Sequence, residues 1–470
     1  MLQEKTIDSK GFEEKLYAIV CLIGREYYSK ILQAWDKELF ESRDRSIYRD
    51  KGMRKTVLKT LMGEVEYSRH VYAFTDESGR KGTVYLLDQA IGKTGSGFFS
   101  DALLERIGAA VCELPYRKVA EEISGLTGQS ISHTAVWNIT QQLGSRVEAC
   151  EDENAAKARR NKGEGKIETK LLFEEQDGVY LHLQGKDRKD VGKGCEMKLA
   201  IAYDGAERKG KGRYALTNKV ACANFEGVEK FYHRKEGVIA ANYNVDEIDV
   251  RVLSGDGASW IKRSATDGVI YQLDAFHRNR AIRRATQDAE AIEDMLELLY
   301  AKQTDGLLLY IEALKAGAED EKKGENLQSL HDYFSNNKDG LVAYNRRGLS
   351  LPDPPEEKEY RRLGAMESNI FTIIGNRMKG RRKCWSVNGG NNLARLLCLK
   401  ATGKLHGVIT KLSSHMPEKY AEEVITMLSS AKSKASAGKG YDGFDKASLP
   451  TAQKWIKAIA GFKPFSELRF

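Results

Sequence analysis

Three carboxylates that are far apart in sequence, Asp177, Asp256 and Glu367, lie in stretches suited to an active site. Asp177 sits in LLFEEQDGVYLHLQG, where two apolar strand-like runs meet at Asp177-Gly178 and predict a hairpin turn. Asp256 closes the strand-like VRVLSGDGASW between two glycines, which let the backbone turn sharply and leave room for a metal and a phosphate. Glu367 lies in RLGAMESNIFTIIGNRMKGRRKCWS, a helix-like stretch ending in a basic run. Cutting a phosphodiester requires an activated water and a stabilised leaving oxygen. Two Mg²⁺ ions about 4 Å apart supply both, with Mn²⁺ as a substitute, and carboxylate oxygens are the ligands such hard cations take. Next to Glu367, Asn369, Arg377, Lys379, Arg381, Arg382 and Lys383 are candidates for DNA phosphates, which would make affinity salt-dependent. Singly, each carboxylate has a plainer reading as a turn or a solvated side chain. The chemistry is carried by the three together at compatible positions.

A fourth stretch, LDAFHRNRAIRRA, places Asp274 and His277 three residues apart at a strand-to-helix junction, with Arg278, Arg280, Arg283 and Arg284 following. No Cys or second His stands at ligand spacing from His277. The reading is a helix that meets DNA phosphate through its arginines, Arg278 and Arg280 first among them, while His277 orients the site.

The elements that must position these residues can be taken in chain order. Apolar residues at three- and four-residue steps from Phe12 to Leu39 predict one long helix over residues 11–44. TVLKTLMGEVEYSRHVYAF predicts a β-hairpin turning near Met62-Gly63, and GTVYLLD a further strand pair; together they form an N-terminal region over residues 1–95. Residues 96–150 hold a stretch with helix-turn-helix proportions: a helix from Tyr116 to Ile123, a turn at Gly125 to Gly128, and a second helix from its N-cap Ser132 to Leu143. In that motif Ser132, His133, Thr134 and Asn138 would face the DNA major groove. The polar, charged stretch over residues 151–168 reads as a linker.

Strand-like runs then follow from residue 165: KLLFEEQ, GVYLHLQG, MKLAIAYDGAE, EIDVRVLSGDG and GVIYQLDAF, the last two separated by the helix-sized ASWIKRSA. Three meandering strands and then strand-helix-strand is the layout of an α/β, RNase H-like core, here ending near residue 400 and interrupted by a helical insertion at about 291–360. Carboxylates at the ends of adjacent central strands of such a sheet converge although they are distant in sequence. Residues 401–470 read as a helical tail with the low-complexity segment SSAKSKASAGKGYDG.

The bulk numbers bound this picture. A chain of 470 residues exceeds one ordinary core. Its net charge of +8 is modest, so the local clusters of Arg and Lys argue for a polyanionic partner more than the total does. Seven scattered cysteines with no C-x-x-C pair predict reduced thiols and support neither a zinc ribbon nor a disulfide framework. No apolar run reaches membrane-spanning length and the N-terminus carries no signal core, so the expectation is a cytoplasmic, nucleoid-associated protein with no membrane partner.

GDGASW, LDAFHRNRAI and GAMESNIFTIIGNRMKGRRKCWS resemble the ISLre-two type bacterial insertion-sequence transposases, which are distantly similar to the mutator-like DDE transposases. TLMGEVEYSRHVYAF and the helix-turn-helix region also look like that family, so the resemblance covers most of the chain. It implies an RNase H-like catalytic domain with a helical insertion before the glutamate-bearing helix. It also implies Mg²⁺-dependent cleavage and strand transfer at terminal inverted repeats in double-stranded DNA. In mutator-like relatives a Cys- or Asp-x-x-His motif follows the second aspartate, and Asp274 and His277 match the Asp form. The separations of 79 residues from Asp177 to Asp256 and 111 from Asp256 to Glu367 suit a DDE core with that insertion. Many transposases carry a cysteine-based zinc module near the N-terminus; here no cysteine lies between Cys21 and Cys112, so no zinc is expected. Joining two DNA ends at one target implies a homodimer or higher oligomer on DNA. Two other readings are a non-catalytic helix-turn-helix regulator, for which the carboxylates would be dispensable, and a metal-dependent nuclease without strand transfer. A carboxylate-pair glycosidase is disfavoured by the basic residues beside Glu367.

Overall fold

The computed structural model describes residues 8–75, 79–92, 98–265, 268–380, 382–412, 417–420 and 422, and divides the chain into two compact units. The low-complexity segment expected near the C-terminus lies outside the described residues. The first unit draws on the chain up to Ala110, on Pro115–Ile139 and on residues from Ile409 onward; the second on Val111–Leu114 and Thr140–Val408.

In the first unit, α1 (Ser9–Ser42) is capped by the Asp8 carboxylate, which accepts from the Gly11 amide. Its apolar stripe is buried only in the second half, where Ile31, Leu32 and Trp35 pack on Leu58, Val65 and Tyr67; Phe12, Leu16 and Val20 are exposed. The expected hairpin is present as β1 (Tyr48–Thr60) and β2 (Gly63–Thr75), antiparallel and closed by the Thr60–Gly63 pair with Gly63 at φ +105°. β3 (Lys81–Val84) adds to β2, but the rest of the expected second strand pair is helical, as α2 (Leu86–Ala90). Leu87 and Asp88 of that turn are buried, which helix satisfies and an edge strand would not.

Helices α3 (Asp101–Val111), α4 (Tyr116–Thr127) and α5 (His133–Ala158) follow. α4 buries Val119, Ala120 and Ile123 and ends at Gly128 in the left-handed region at φ +64°. The Ser132 hydroxyl caps α5 by accepting from the Ala135 amide at 3.1 Å, and Ser132, His133 and Thr134 are exposed while Asn138 is half-buried. α4 is thus one turn longer than the sequence predicts, and α5 runs well past Leu143 into the stretch read as a linker.

The second unit is built on a five-stranded sheet of order β10-β9-β4-β5-β8. β4 (Leu171–His182) is continuous through Asp177-Gly178, where the sequence predicts a turn. α6 (Gly185–Asp190) leads to β5 (Gly194–Tyr203), antiparallel to β4 over its whole length with Asp177 opposite Leu199 and Gly178 opposite Lys198. Glycine at 178 leaves room for Glu196: a Cβ there would lie 2.1 Å from the Glu196 Oε1, so that side chain would have to turn away. A small hairpin, β6 (Ala206–Gly210) and β7 (Arg213–Leu216), precedes β8 (Val220–Asn224), a strand the sequence reading passed over. The three antiparallel strands are therefore β4, β5 and β8, with GVYLHLQG forming the second half of the first.

α7 (Val228–Ala240) packs on this sheet and leads to β9 (Val250–Gly255), α8 (Ser259–Lys262) and β10 (Val269–Leu273), the expected strand-helix-strand. β10 and β4 flank β9, both parallel to it. α9 (Ala275–Ala285) begins directly after β10, and α10 (Ala289–Tyr300), α11 (Thr304–Ala316) and α12 (Glu321–Asn336) form a helical layer with its own core of Met295, Leu299, Ile311, Leu330 and Phe334. α13 (Met366–Asn369) continues through a π-helical stretch (Ile370–Gly375) into α14 (Asn376–Met378), and α15 (Val387–Ala401) closes the core.

Helix continues past Leu143 where its acidic residues Glu148 and Glu151 have buried partners. Arg234 on α7 and Arg395 on α15, both almost fully buried, each bond Glu148 and Glu151. A charge pattern that looks solvated in one dimension is here an internal ion network.

Candidate active site

Strand register brings two of the sequence-predicted carboxylates, Asp177 and Asp256, together with Asp274. Gln176 of β4 pairs with Gly255 of β9, and Gly255 pairs with Leu273 of β10. The next residues on the three parallel strands are Asp177, Asp256 and Asp274, in one row at one edge of the sheet. Neighbouring strands lie about 4.8 Å apart, so a separation of 79 positions in sequence reduces to one inter-strand step. The Asp274 amide donates to the Gly255 carbonyl at 2.8 Å, carrying the ladder one bond past β10.

Each member is held locally. The Asp177 Oδ1 accepts from the Gly178 amide at 2.7 Å. The Asp256 Oδ1 accepts from the Ala258 amide at 2.9 Å, an Asx turn made possible by Gly257 at φ +92°. The Asp274 Oδ2 accepts from both the backbone amide and the Nδ1 of His277, at 3.0 Å each, so the carboxylate caps α9 and fixes the imidazole in one contact. Helix α12 of the insertion supports the row from outside. The Tyr333 hydroxyl donates to the Asp256 carbonyl at 2.6 Å, and Asn337 packs where a Cβ at Gly257 would be.

The electrostatics mark the row as a cluster of like charges. Burial pushes the Asp177 carboxyl up, the Gly178 amide and the His277 charge oppose it, and the Asp256 and Glu367 carboxylates add to the rise, to about 6. For Asp274, burial is outweighed by the hydrogen bonds and charge of His277, so its carboxyl sits below the usual range. The bond to Asp274 raises the His277 imidazole, burial works against it, and Asp177 and Asp256 reinforce the rise. Glu367, exposed in the first turn of α13, reaches the same neighbourhood from a different element.

Glu367 is positioned by a residue the sequence reading left out. Glu175, two positions before Asp177 on β4, is almost fully buried. Its Oε2 accepts from the Gly364 and Met366 amides at 3.1 and 3.0 Å; its Oε1 accepts from Ala365 at 3.2 Å and from the Tyr203 hydroxyl at 2.6 Å. The strand that carries Asp177 thus grips the N-terminus of the helix that carries Glu367, where amides lack intrahelical partners. The acidic run EEQD was the available signal: an uncharged strand interior would need no such partner.

The basic residues separate into two groups. Arg280 and Arg284 line a cleft of about 330 Å³ together with Asp256, His277, Ser329 and Tyr333, and Lys379 and Arg382 are exposed. Arg377, by contrast, is buried: its Nε donates to the Val111 carbonyl at 2.7 Å and its guanidinium faces the Trp385 ring, which removes it from the DNA-facing set. Arg278 is half-buried and donates to the Leu341 carbonyl at 2.9 Å, tying α9 to the end of the insertion. Lys383 donates to the Asn376 and Arg377 carbonyls at the end of α14, the favourable place for a cation on a helix. Asn369 is buried and bonded to the Ala365 carbonyl and to Lys219. In each case the backbone supplies carbonyls that a partly buried cation or amide must satisfy, which composition does not display. Arg381 lies outside the described residues.

The donor set suits a hard divalent cation: carboxylate oxygens only, one of them pushed up to about 6, first by burial and then by the charges of the other two. Among the described residues no three His, Cys, Asp or Glu side chains are already gathered at metal-ligand spacing. Asp177, Asp256 and Glu367 are the residues that would hold such a cation, which when bound polarises a phosphoryl oxygen and activates water.

A pH dependence follows for the metal-free protein. The folded-state pKa of Asp177 lies above its unfolded value, so the native state holds the extra proton between about pH 4 and 6. Stability contributed there falls as pH rises through that window. Asp177→Asn, whose amide oxygen keeps the Gly178 contact, is expected to raise the denaturation midpoint at pH 7.5 and to lose that advantage at pH 4, as read by denaturant titration at both pH values.

The fold and site define an α/β protein with an acidic cluster at the end of a parallel strand pair, roofed by a helical insertion. The chain belongs to the uncharacterised protein family UPF0236, which it matches over residues 2–412. It is similar to a UPF0236 protein in the vanSb 3′ region of Streptococcus gallolyticus, with 22% identity over 84% of this chain and 81% of that one. A UPF0236 protein of Caldanaerobacter subterraneus subsp. tengcongensis, whose name joins eleven locus designations, is 24% identical over 81% of this chain and 75% of its own. Among solved structures, a pre-cleavage Mos1 transpososome aligns over 53% of this chain and 80% of that one at 11% identity. Its TM-score of 0.11 is too low to carry an argument. Among the described residues no helix is long and apolar enough to cross a membrane.

Proposed function

We propose that this protein is a DNA transposase that cuts and joins DNA strands through Asp177, Asp256 and Glu367. The observation that carries the reading is the register: Asp177 and Asp256 become neighbours across a parallel strand pair, and Glu367 adds its charge from a helix gripped by the Asp177 strand. Three antiparallel strands followed by two parallel ones, with helices on the sheet and an insertion before the glutamate helix, support an RNase H-like core. A relative whose name joins eleven loci of one genome fits a gene that multiplies as a mobile element does.

In this reading Asp177, Asp256 and Glu367 would hold two divalent cations, which would supply Lewis-acid activation of the attacking oxygen and charge stabilisation of the leaving 3′-oxygen. The chain's own residues do the rest. Asp177, whose carboxyl is pushed up to about 6, is a carboxylate above that pH and a ligand there. His277, fixed by Asp274 and with its imidazole pKa raised by that bond, lines the cleft beside Asp256 where a phosphate would lie. Arg280 and Arg284 line the same cleft as phosphate contacts, and the exposed start of α5 with Ser132, His133 and Thr134 is the major-groove candidate. Joining two ends requires at least two copies on DNA.

The test is a strand-cleavage assay on a labelled duplex carrying the terminal repeat of the protein's own element, with Mg²⁺ or with chelator. Metal-dependent nicking at the repeat boundary followed by joined products is the expected result. Nicking without joined products would make the protein a nuclease; specific binding without cleavage under any metal would make it a regulator.

A further inference from the structure

A second concave surface of the same unit has no part in the carboxylate row. It is a groove of about 860 Å³ between the β7 hairpin arm, the connection through Arg361 to Ala365, the far side of the Glu367 helix and the residues after α15. Four cations line it, Lys219, Arg361, Arg362 and Lys404, and no Asp or Glu does. Lys219 and Lys404 are half-buried, and their partners are neutral: Lys219 donates to the Asn369 Oδ1 at 3.0 Å and Lys404 to the Asn242 Oδ1. The neighbouring carboxylate, Asp204, is fully engaged by Lys358, Thr217 and Asn218. Among the described residues none of the four groove cations pairs with a carboxylate. Partly buried cations are ordinarily compensated, and cations left without a counterion call for an anionic ligand. Burial accordingly pushes the Lys219 and Lys404 ammonium groups down.

From this geometry we infer that the groove is a binding track for the phosphodiester backbone of a DNA strand, separate from the acidic cluster and running past Glu367. The inference rests on the reading of the protein as acting on DNA. Three features favour a strand over a lone phosphate. The volume is far larger than one phosphate needs, and four cations from separate segments of the chain line it. The Arg361 guanidinium carbon lies over the Tyr214 ring, 3.3 Å from its centroid, and both are groups on which bases stack. Ser368, the residue after Glu367, lines the groove with Asn369 and Thr372, so a strand lying there passes beside the catalytic helix.

The test measures binding by the full chain in chelator, so that it does not depend on cleavage. Wild type, Arg361→Ala/Arg362→Ala and Lys219→Met are titrated with labelled single-stranded and duplex oligonucleotides across a salt series, and with inorganic phosphate as competitor. The double variant removes exposed side chains and should fold. It is expected to bind about tenfold more weakly near physiological salt and to lower the slope of log affinity against log salt by about two. Lys219→Met should weaken binding while raising the thermal midpoint, because it deletes a half-buried charge with no counterion; a purely structural lysine would lower the midpoint. Unchanged affinity and slope in the double variant, absence of DNA binding by wild type, or displacement of DNA by millimolar phosphate (a small-anion site) would each overturn the inference. A protein that cleaves DNA with an unaltered double variant would lose the groove and keep the transposase reading. Salt-dependent binding through these residues in a protein that never cleaves would do the reverse.

Discussion

Replacing Asp256 by asparagine is expected to lower metal-dependent strand cleavage by on the order of a thousandfold while leaving DNA binding and the fold intact. The fold should survive because the structural contact of this side chain uses only Oδ1, which accepts from the Ala258 amide, and an amide oxygen can do the same. The backbone contacts also persist: Tyr333 bonds the Asp256 carbonyl and Gly257 keeps its left-handed conformation. What is lost is one ligand oxygen and one negative charge, a charge that adds to the rise that burial imposes on the Asp177 carboxyl. A ligand that stabilises transition-state charge by several kcal/mol corresponds to about three powers of ten in rate. The measurement is single-turnover cleavage under saturating protein, with binding measured separately by mobility shift. Cleavage within threefold of wild type at equal binding would remove Asp256 from the chemistry. The same substitution should bring the Asp177 carboxyl closer to its ordinary range, because a like charge disappears from its surroundings.

Replacing Glu175 by alanine is the second large expected effect, and it acts on position. The four contacts of this carboxylate lock the loop from Gly364 to Met366 onto β4. Removal leaves three amides and a tyrosine hydroxyl without their partner in a buried place, costing roughly 3–5 kcal/mol. Glu367 would then be free to drift from Asp177 and Asp256. A misplacement of about 1 Å costs about a hundredfold in rate. Glu175→Gln is the more discriminating variant. It keeps the volume and one oxygen, yet turns an NH₂ toward N–H donors, so it should fall between wild type and alanine in stability while still losing most cleavage. The diagnostic split is a fallen cleavage rate with unchanged DNA affinity. Loss of both in proportion would mean that Glu175 supports only the fold.

Much of the first layer was legible in the sequence because it depends on short-range chemistry. Gly-Asp-Gly after a β-branched run required a strand end with a sharp turn, and β9 and Asp256 are found so. Asp274 before AFHRNRA required a helix cap, and it caps α9 through the His277 amide. Ser132 capped α5, and Thr60 to Gly63 closed the hairpin, for the same local reasons.

Where a carboxylate is satisfied depends on residues far along the chain, and only the tertiary structure decided that. Asp177-Gly178 read as a turn because Asp-Gly favours one. In the fold β5 pairs straight across it, and the glycine serves instead to clear the Glu196 side chain. Glu151 read as a linker charge until Arg234 and Arg395, more than 80 and 240 residues away, took it inside together with Glu148. Arg377 read as a phosphate contact until the Val111 carbonyl claimed it, and Glu175 was one acid among several until three amides from 189 or more residues away closed on it. Caps and turns are set by bonds spanning two to four residues, so composition shows them. Burial of a charge is set by what folds over it, and a strand register that makes neighbours of Asp177 and Asp256 is a property of the sheet.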